Sequence, residues 1–344
     1  MASNQAAWLE EKQQYPFKIG SADVPKAGPD QLVIKNHALA INPVDWKIQS
    51  YGFLVEKFPM ILGCDVAGEV YEVGSNVKDF KVGDRVAGHA LSLGDGQPQS
   101  GGFQLYTAVY AVAATKLPSN VSYTQGSVLP LAVDTAIVGL YGSDILALPY
   151  PELSPKPSNK VILIWGGSSS VGGTAVQLAK ASGVTVITTA SAHNHEYAKY
   201  HLGADKVLDH KSPSIVNDVV DAIKSSGKEF AGVYDSISVP ESFKPIGAIF
   251  EKLGSGSKKL AVTLPASDLP DDIQVSNVFA GTVLNKDKAV AEHVWGNFLY
   301  TALQKGSFKP LPEALVIGKG LENAQKATDK NKEGVSAKKV VVEL

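Results

Sequence analysis

The stretch KVILIWGGSSSVGG, Lys160 to Gly173, runs an apolar, β-favouring segment into a tract of small side chains, and TAVQLAKASG follows at once. A strand that turns so tightly into a helix presents unpaired backbone N–H groups at the helix start, where the dipole also favours an anion. In a βαβ unit that anion is the pyrophosphate of a dinucleotide, and the fingerprint is G-x-G-x-x-G. Gly167, Ser169 and Gly172 occupy its three glycine positions; a serine in the middle still permits close approach and adds a hydroxyl donor. Gly166, Ser168, Ser170 and Val171 complete the cofactor-binding turn. A turn with small residues for packing alone is the competing reading, and the flanking strand, helix and second strand VTVITTAS argue against it.

The end of that second strand selects the adenosine half of the cofactor. An Asp or Glu there holds a ribose 2′-OH and repels a 2′-phosphate. The chain instead reads TTASAHNHEYAKY, with Ser191, His193 and Asn194 as hydrogen-bonding groups and no acid before Glu196, so NADPH is expected over NADH. His193 could equally be a plain surface residue. His210, closing KVLDH, could reach the same region or simply end a strand.

No metal is expected. Catalytic zinc needs three ligands from Cys, His and Asp/Glu, and structural zinc a cluster of cysteines, whereas the chain has one cysteine, Cys64. Its seven histidines are scattered. Without a Lewis acid to polarise an alcohol, reduction of an already polarised acceptor is the better fit. Hydride addition to an enone builds charge on the carbonyl oxygen and needs a donor and a proton source. Lys47 in INPVDWKI is the first candidate, with a solvated lysine beside a buried Trp46 as its alternative; Tyr51 is the second. Asn42 and Asp45 read as turn-shaping residues, Cys64 as a small buried one, and Asp65 as a residue that orders nearby backbone.

The elements that must position these groups fall into two kinds. The 344 residues suffice for two domains, and 44% hydrophobic with 19% charged residues describes a globular chain. A net charge of −2 without a basic stripe argues against nucleic acid. The charged N-terminus and the lack of any apolar run near ~20 residues argue against secretion and membrane insertion, so a cytoplasmic protein is expected. From about residue 30 to 115 short β-rich runs alternate with turns, which predicts antiparallel strands in a barrel or sandwich. After a helical connection and the Pro-rich loop ALPYPELSPKPSN, apolar strands alternate with helices, the pattern of a parallel sheet covered on both faces. Gly183, Gly203, Gly227 and Gly254 stand where those helices should stop. SNVFAGTVL is expected as the last strand of that sheet, a long helix should cover AVAEHVWGNFLYTALQKG, and the final strand AKKVVVEL should return to the first domain. An exposed sheet edge leaves monomer and homodimer both open.

INPVDWKI, FPMILGCDVAGEVYEVGSNVKDFKVGDRV, GGFQLYTAV, VILIWGGSSSVGGTAVQLAKASG and LGADKVLDHK together resemble the medium-chain dehydrogenase/reductase superfamily across nearly the whole chain. The resemblance is to its zinc-independent quinone oxidoreductase and enoyl reductase branch, and within it to fungal trans-acting enoyl reductases. It implies an α/β protein with a GroES-like, mostly-β catalytic domain (1–124 and 290–344), a Rossmann doubly wound parallel-sheet domain (125–289), and an active-site cleft where they meet. It further implies that Asn42, Pro43, Asp45 and Lys47 line the nicotinamide and substrate, and that Thr135, Leu264 and Lys339 touch the cofactor. Where many relatives have Tyr after the third Rossmann strand, this chain has His210. The implied activity is metal-independent, NADPH-dependent hydride transfer to an activated C=C or a quinone, on a free small molecule or a carrier-bound unsaturated carbonyl. An aldehyde or carbonyl reductase and a non-catalytic NADPH-binding protein are the alternatives.

Overall fold

A computed structural model describes residues 2–254 and 256–344. The chain divides into two compact units, one formed by residues up to Leu131 together with Gly281–Leu344, the other by Ala132–Ala280. In chain order the first unit opens with β1 (Asn4–Leu9), β2 (Lys18–Ala22), β3 (Gln31–Ala40), β4 (Met60–Ile61), β5 (Asp65–Val73), β6 (Arg85–His89), β7 (Tyr106–Tyr110) and β8 (Ala114–Lys116). The second unit holds β9 (Lys160–Trp165), β10 (Thr185–Ala190), β11 (Lys206–Asp209), β12 (Glu229–Asp235), β13 (Lys259–Val262) and β14 (Gln274–Asn277). The chain then returns to the first unit for β15 (Glu313–Lys319) and β16 (Lys338–Glu343).

The second unit is a six-stranded sheet in the order β11-β10-β9-β12-β13-β14, with every pair parallel. That is the doubly wound dinucleotide-binding order, in which the chain reverses direction across the sheet between β9 and β12. Val161, Ile162, Leu163 and Ile164 in β9 are all fully buried, as a strand covered on both faces requires. Each such side chain contributes roughly 1.5–3 kcal/mol on burial. Gly183, Gly203, Gly227 and Gly254 all have positive φ, so each helix that precedes them ends in a left-handed residue that favours glycine. The edge strand differs from expectation: it is QVSN, Gln274–Asn277, while Ala280–Leu284 forms a 3₁₀ turn. Both Val283 and Ala280 are buried, so the apolarity of FAGTVL reflects packing under neighbouring segments and not a strand.

In the first unit β16 lies between β15, its parallel partner, and β3, its antiparallel partner, in a seven-stranded sheet β15-β16-β3-β5-β6-β8 with β7 also on β3. The last strand therefore does join the first domain. A separate small sheet runs β2-β1-β4. Val340 and Val342 of β16 pack into one core with Ala6, Leu39, Ile48, Ile61 and Phe103. Between β3 and β4 the segment read as a turn is a helix, Pro43–Tyr51. The long C-terminal helix is unbroken along the chain but passes through a π-helical stretch, Glu292–Phe298, between Lys288–Ala291 and Leu299–Lys305. Among the described residues no helix is long and apolar enough to cross a membrane.

Candidate active site

In the second unit the Gly-rich turn leaves the C-terminal end of β9 and enters the helix Ser170–Ala181. Gly166 has φ +82°, a left-handed conformation that strains any other residue. A Cβ on Gly167 would lie 2.1 Å from Thr188 Oγ1, and one on Gly172 would lie 2.2 Å from the Gly166 carbonyl oxygen. Both glycines are therefore fixed by close approach of strand, turn and helix. Ser169, in the middle position, is the N-cap: its Oγ accepts from the Gly172 N–H at 3.0 Å. That hydroxyl also meets Ser236 Oγ at 3.0 Å, and Ser236, just beyond β12, donates to the Trp165 carbonyl at 2.7 Å. The donor expected from Ser169 for a phosphate is thus spent inside the protein. Ser170 Oγ, one residue on, is buried and has no hydrogen-bond partner. A turn of small side chains at a helix N-terminus with one orphaned hydroxyl fits a dinucleotide pyrophosphate.

Ser191, His193 and Asn194 sit in and beside the short 3₁₀ turn Ala192–Asn194 that follows β10. The Asn194 N–H closes it on the Ser191 carbonyl at 2.8 Å. His193 is exposed, whereas Asn194 is 8% exposed and turned inward. Glu196 is exposed on the next segment, so no carboxylate stands at the strand end itself. His210 follows β11 with Nδ1 4.0 Å from the Asp209 carboxylate. Leu264 lies in the loop after β13. Thr135, on the helix Pro130–Tyr141, is buried, and its carbonyl accepts from the Tyr234 hydroxyl at 2.8 Å.

In the first unit Asn42 stands at the head of the helix Pro43–Tyr51, with Pro43 in the first turn, where proline costs no hydrogen bond. Asp45 Oδ2 accepts the Asn42 N–H at 2.7 Å, and its Oδ1 accepts the Gly63 N–H at 3.2 Å. Full burial, aided by the nearby Asp65 carboxylate, raises the Asp45 pKa to about 7 against the pull of those N–H donors and of Lys339. Asp65, fully buried, takes the Leu131 N–H at 2.6 Å and the Asn42 amide at 2.7 Å, so it does order backbone. Lys339, from β16, is 3% exposed; its Nζ lies 2.8 Å from Asp65 Oδ2 and donates to Asn42 Oδ1. Asn42, Asp45, Asp65 and Lys339 are therefore one buried cluster, in which Asn42 touches the other three; pattern reading did not single out Asp65 as a member. Nothing in the sequence pairs a lysine with an asparagine 297 residues away.

Lys47 lies one turn into the same helix, half-buried, and desolvation lowers its pKa. Its Nζ is 5.7 Å from the Trp46 ring centroid, and Lys332 Nζ is 5.9 Å from the same ring. Tyr51, one turn further along, packs edge-on against Trp46 at 6.0 Å and is 65% exposed. A half-buried ammonium can donate a strong hydrogen bond to a developing oxyanion. Cys64 is buried, and burial and the two carboxylates push its thiol pKa well up, which leaves it inert.

Residues 28–119 match the family model described as the alcohol dehydrogenase GroES-like domain, and residues 170–256 match the one described as zinc-binding dehydrogenase. A dehydrogenase, orsE, of Emericella nidulans is 44% identical, with all of both chains covered. The trans-enoyl reductase himH of Aspergillus japonicus is 39% identical over 99% of this chain and 97% of its own. Among solved structures, an alcohol dehydrogenase superfamily protein from Novosphingobium aromaticivorans is 26% identical with a TM-score of 0.78, covering 99% of each chain.

Proposed function

We propose, since the chain belongs to the medium-chain dehydrogenase/reductase family in its branch of quinone oxidoreductases and trans-acting enoyl reductases, that it is a metal-independent, NADPH-dependent reductase of activated C=C bonds. The observation that carries the reading is the pairing of a dinucleotide turn with a second strand that ends in hydroxyl, imidazole and amide groups and not in a carboxylate. A carboxylate at that place would favour the ribose hydroxyl of NAD; its absence leaves room for a 2′-phosphate.

NADPH, when bound, supplies the hydride. Ser170 Oγ and the first-turn N–H groups of Ser170–Ala181 would hold its pyrophosphate, with Gly167 and Gly172 keeping the approach clear. Lys47 donates to the acceptor's carbonyl oxygen as charge builds there, and its lowered pKa makes proton delivery to the resulting enolate easier. The acceptor is an α,β-unsaturated carbonyl, free or carrier-bound, or a quinone, and the enzyme works in the cytoplasm as a monomer or homodimer.

The test is loss of reduced-nicotinamide absorbance against an enone, an enoyl thioester, a quinone and a reactive aldehyde, with NADPH and NADH in parallel and a chelator present. Chelator-resistant turnover of the enone or enoyl thioester with NADPH is expected. Turnover of the aldehyde alone would transfer the assignment to carbonyl reduction, and NADPH binding without any oxidation would end the claim to catalysis.

A further inference from the structure

We propose that the Lys339 ammonium is the resident cation of the buried acidic pocket in the first unit, neutralising it in the way a metal ion otherwise would and fixing Asn42 at the head of the helix that carries Lys47. The inference rests on the metal-independent reading above and adds the reason for it. The family model described as zinc-binding matches residues 170–256, outside this pocket, and the residues of the pocket itself do not fit a metal. Among the described residues no three His, Cys, Asp or Glu side chains are grouped to hold one.

The pocket still gathers groups of ligand type: Asp45, Asp65 and Cys64 lie near enough for both carboxylates to raise the thiol pKa. What stands among them is an ammonium. Lys339 Nζ is 2.8 Å from Asp65 Oδ2, with the two side chains 4% and 0% exposed. A buried carboxylate demands a counter-charge and partners for its lone pairs. Asp65 has Lys339, the Asn42 amide and the Leu131 N–H. Another cation here would face the ammonium directly.

Asn42 supplies the second line of argument. An asparagine at a helix N-cap ordinarily turns its side-chain oxygen onto a first-turn N–H. Asn42 makes no such bond; its Oδ1 accepts from Lys339 and its Nδ2 donates to Asp65. Only the reverse half of a capping box remains, from the Asn42 N–H to Asp45. The residue gives up its local role for the ion pair, so the start of Pro43–Tyr51 is tied to a charge delivered by the last strand.

The experiment compares the full-length wild type, Lys339→Met and the double variant Asp65→Asn with Lys339→Met, by thermal melting with and without added zinc and by cobalt(II) absorption. In the double variant both charges are gone, and the Asn42 amide can flip to accept from the new amide. Lys339→Met is expected to lower Tm by many degrees, with no recovery on adding zinc and no cobalt–thiolate absorption, because no three ligand-type side chains are grouped among the described residues. The wild type should show no zinc-dependent shift, and the double variant should recover most of the Tm without any metal response. If Lys339→Met does not fold, recovery in the double variant alone carries the proposal. A double variant as damaged as the single, or a Lys339→Met that keeps the wild-type Tm, overturns it. Stoichiometric zinc on the wild type with Lys339 intact would instead sink the metal-independent reading itself.

Discussion

At the scale of single residues, Asp45 and Lys47 share a helix but are perturbed in different ways. Asp45 has its pKa raised from 3.8 to about 7, chiefly by burial. A carboxyl that holds its proton more tightly when folded stabilises the fold fully below its unfolded pKa and loses that contribution as pH rises through the folded value. The Asp45 contribution should therefore fall between about pH 4 and pH 7 and level off above, with a slope of at most about 1.4 kcal/mol per pH unit. Subtracting the Tm profile of Asp45→Asn from that of the wild type isolates it; a difference that grows with pH over that window would contradict the assignment. Lys47 is lowered because its ammonium is partly desolvated. Lys47→Met should cut kcat by about 100-fold, the typical loss of one oxyanion donor, while leaving the dissociation constant for NADPH nearly unchanged. A change confined to the dissociation constant would make Lys47 a cofactor residue only.

At the scale of elements, the Gly-rich turn illustrates what pattern reading could and could not supply. The alternation of apolar strands with helices specified the parallel sheet and its Gly stops, and the spacing of Gly167, Ser169 and Gly172 located the turn. The spacing could not say that Ser169 is the N-cap, bonded to Gly172 and Ser236. Ser169→Ala should therefore cost about 1 kcal/mol of stability, whereas Ser169→Gly should cost only a few tenths. Equal losses in chemical denaturation would argue that packing and not capping is the role of Ser169. Of the elements that pattern reading does not reach, β1 and β2 among them, two show the physical reasons. In Pro43–Tyr51 the Asn-Pro start looks like a turn because the same residues that initiate turns also begin helices. The strand β15 hides in EALVIGK, whose burial does not alternate with a period of two; its register is set by β16, a partner that local sequence does not reveal. The Lys339–Asp65 pair was illegible for the same reason, being a product of long-range pairing alone.

At the scale of the whole molecule, the first unit is discontinuous and the second is one unbroken stretch. Val340, Val341 and Val342 of β16 are all fully buried, and at roughly 1.5–3 kcal/mol each their removal would consume much of a typical domain's 5–15 kcal/mol. A chain ending before Lys338 should lose hydrogen-exchange protection at β3 and β5 while β9 and β12 keep theirs. Undiminished protection at β3 would show that the sheet does not depend on its last strand. The order of biosynthesis follows from the same topology. β16 is made after every other strand of its sheet, so the strands made first wait longest for the partner that completes it, and the dinucleotide-binding unit can finish folding before them. The nascent chain therefore carries an open sheet edge on β3 until β16 emerges, and a chain cut before Lys338 would join an assembled dinucleotide-binding unit to an unfinished first unit.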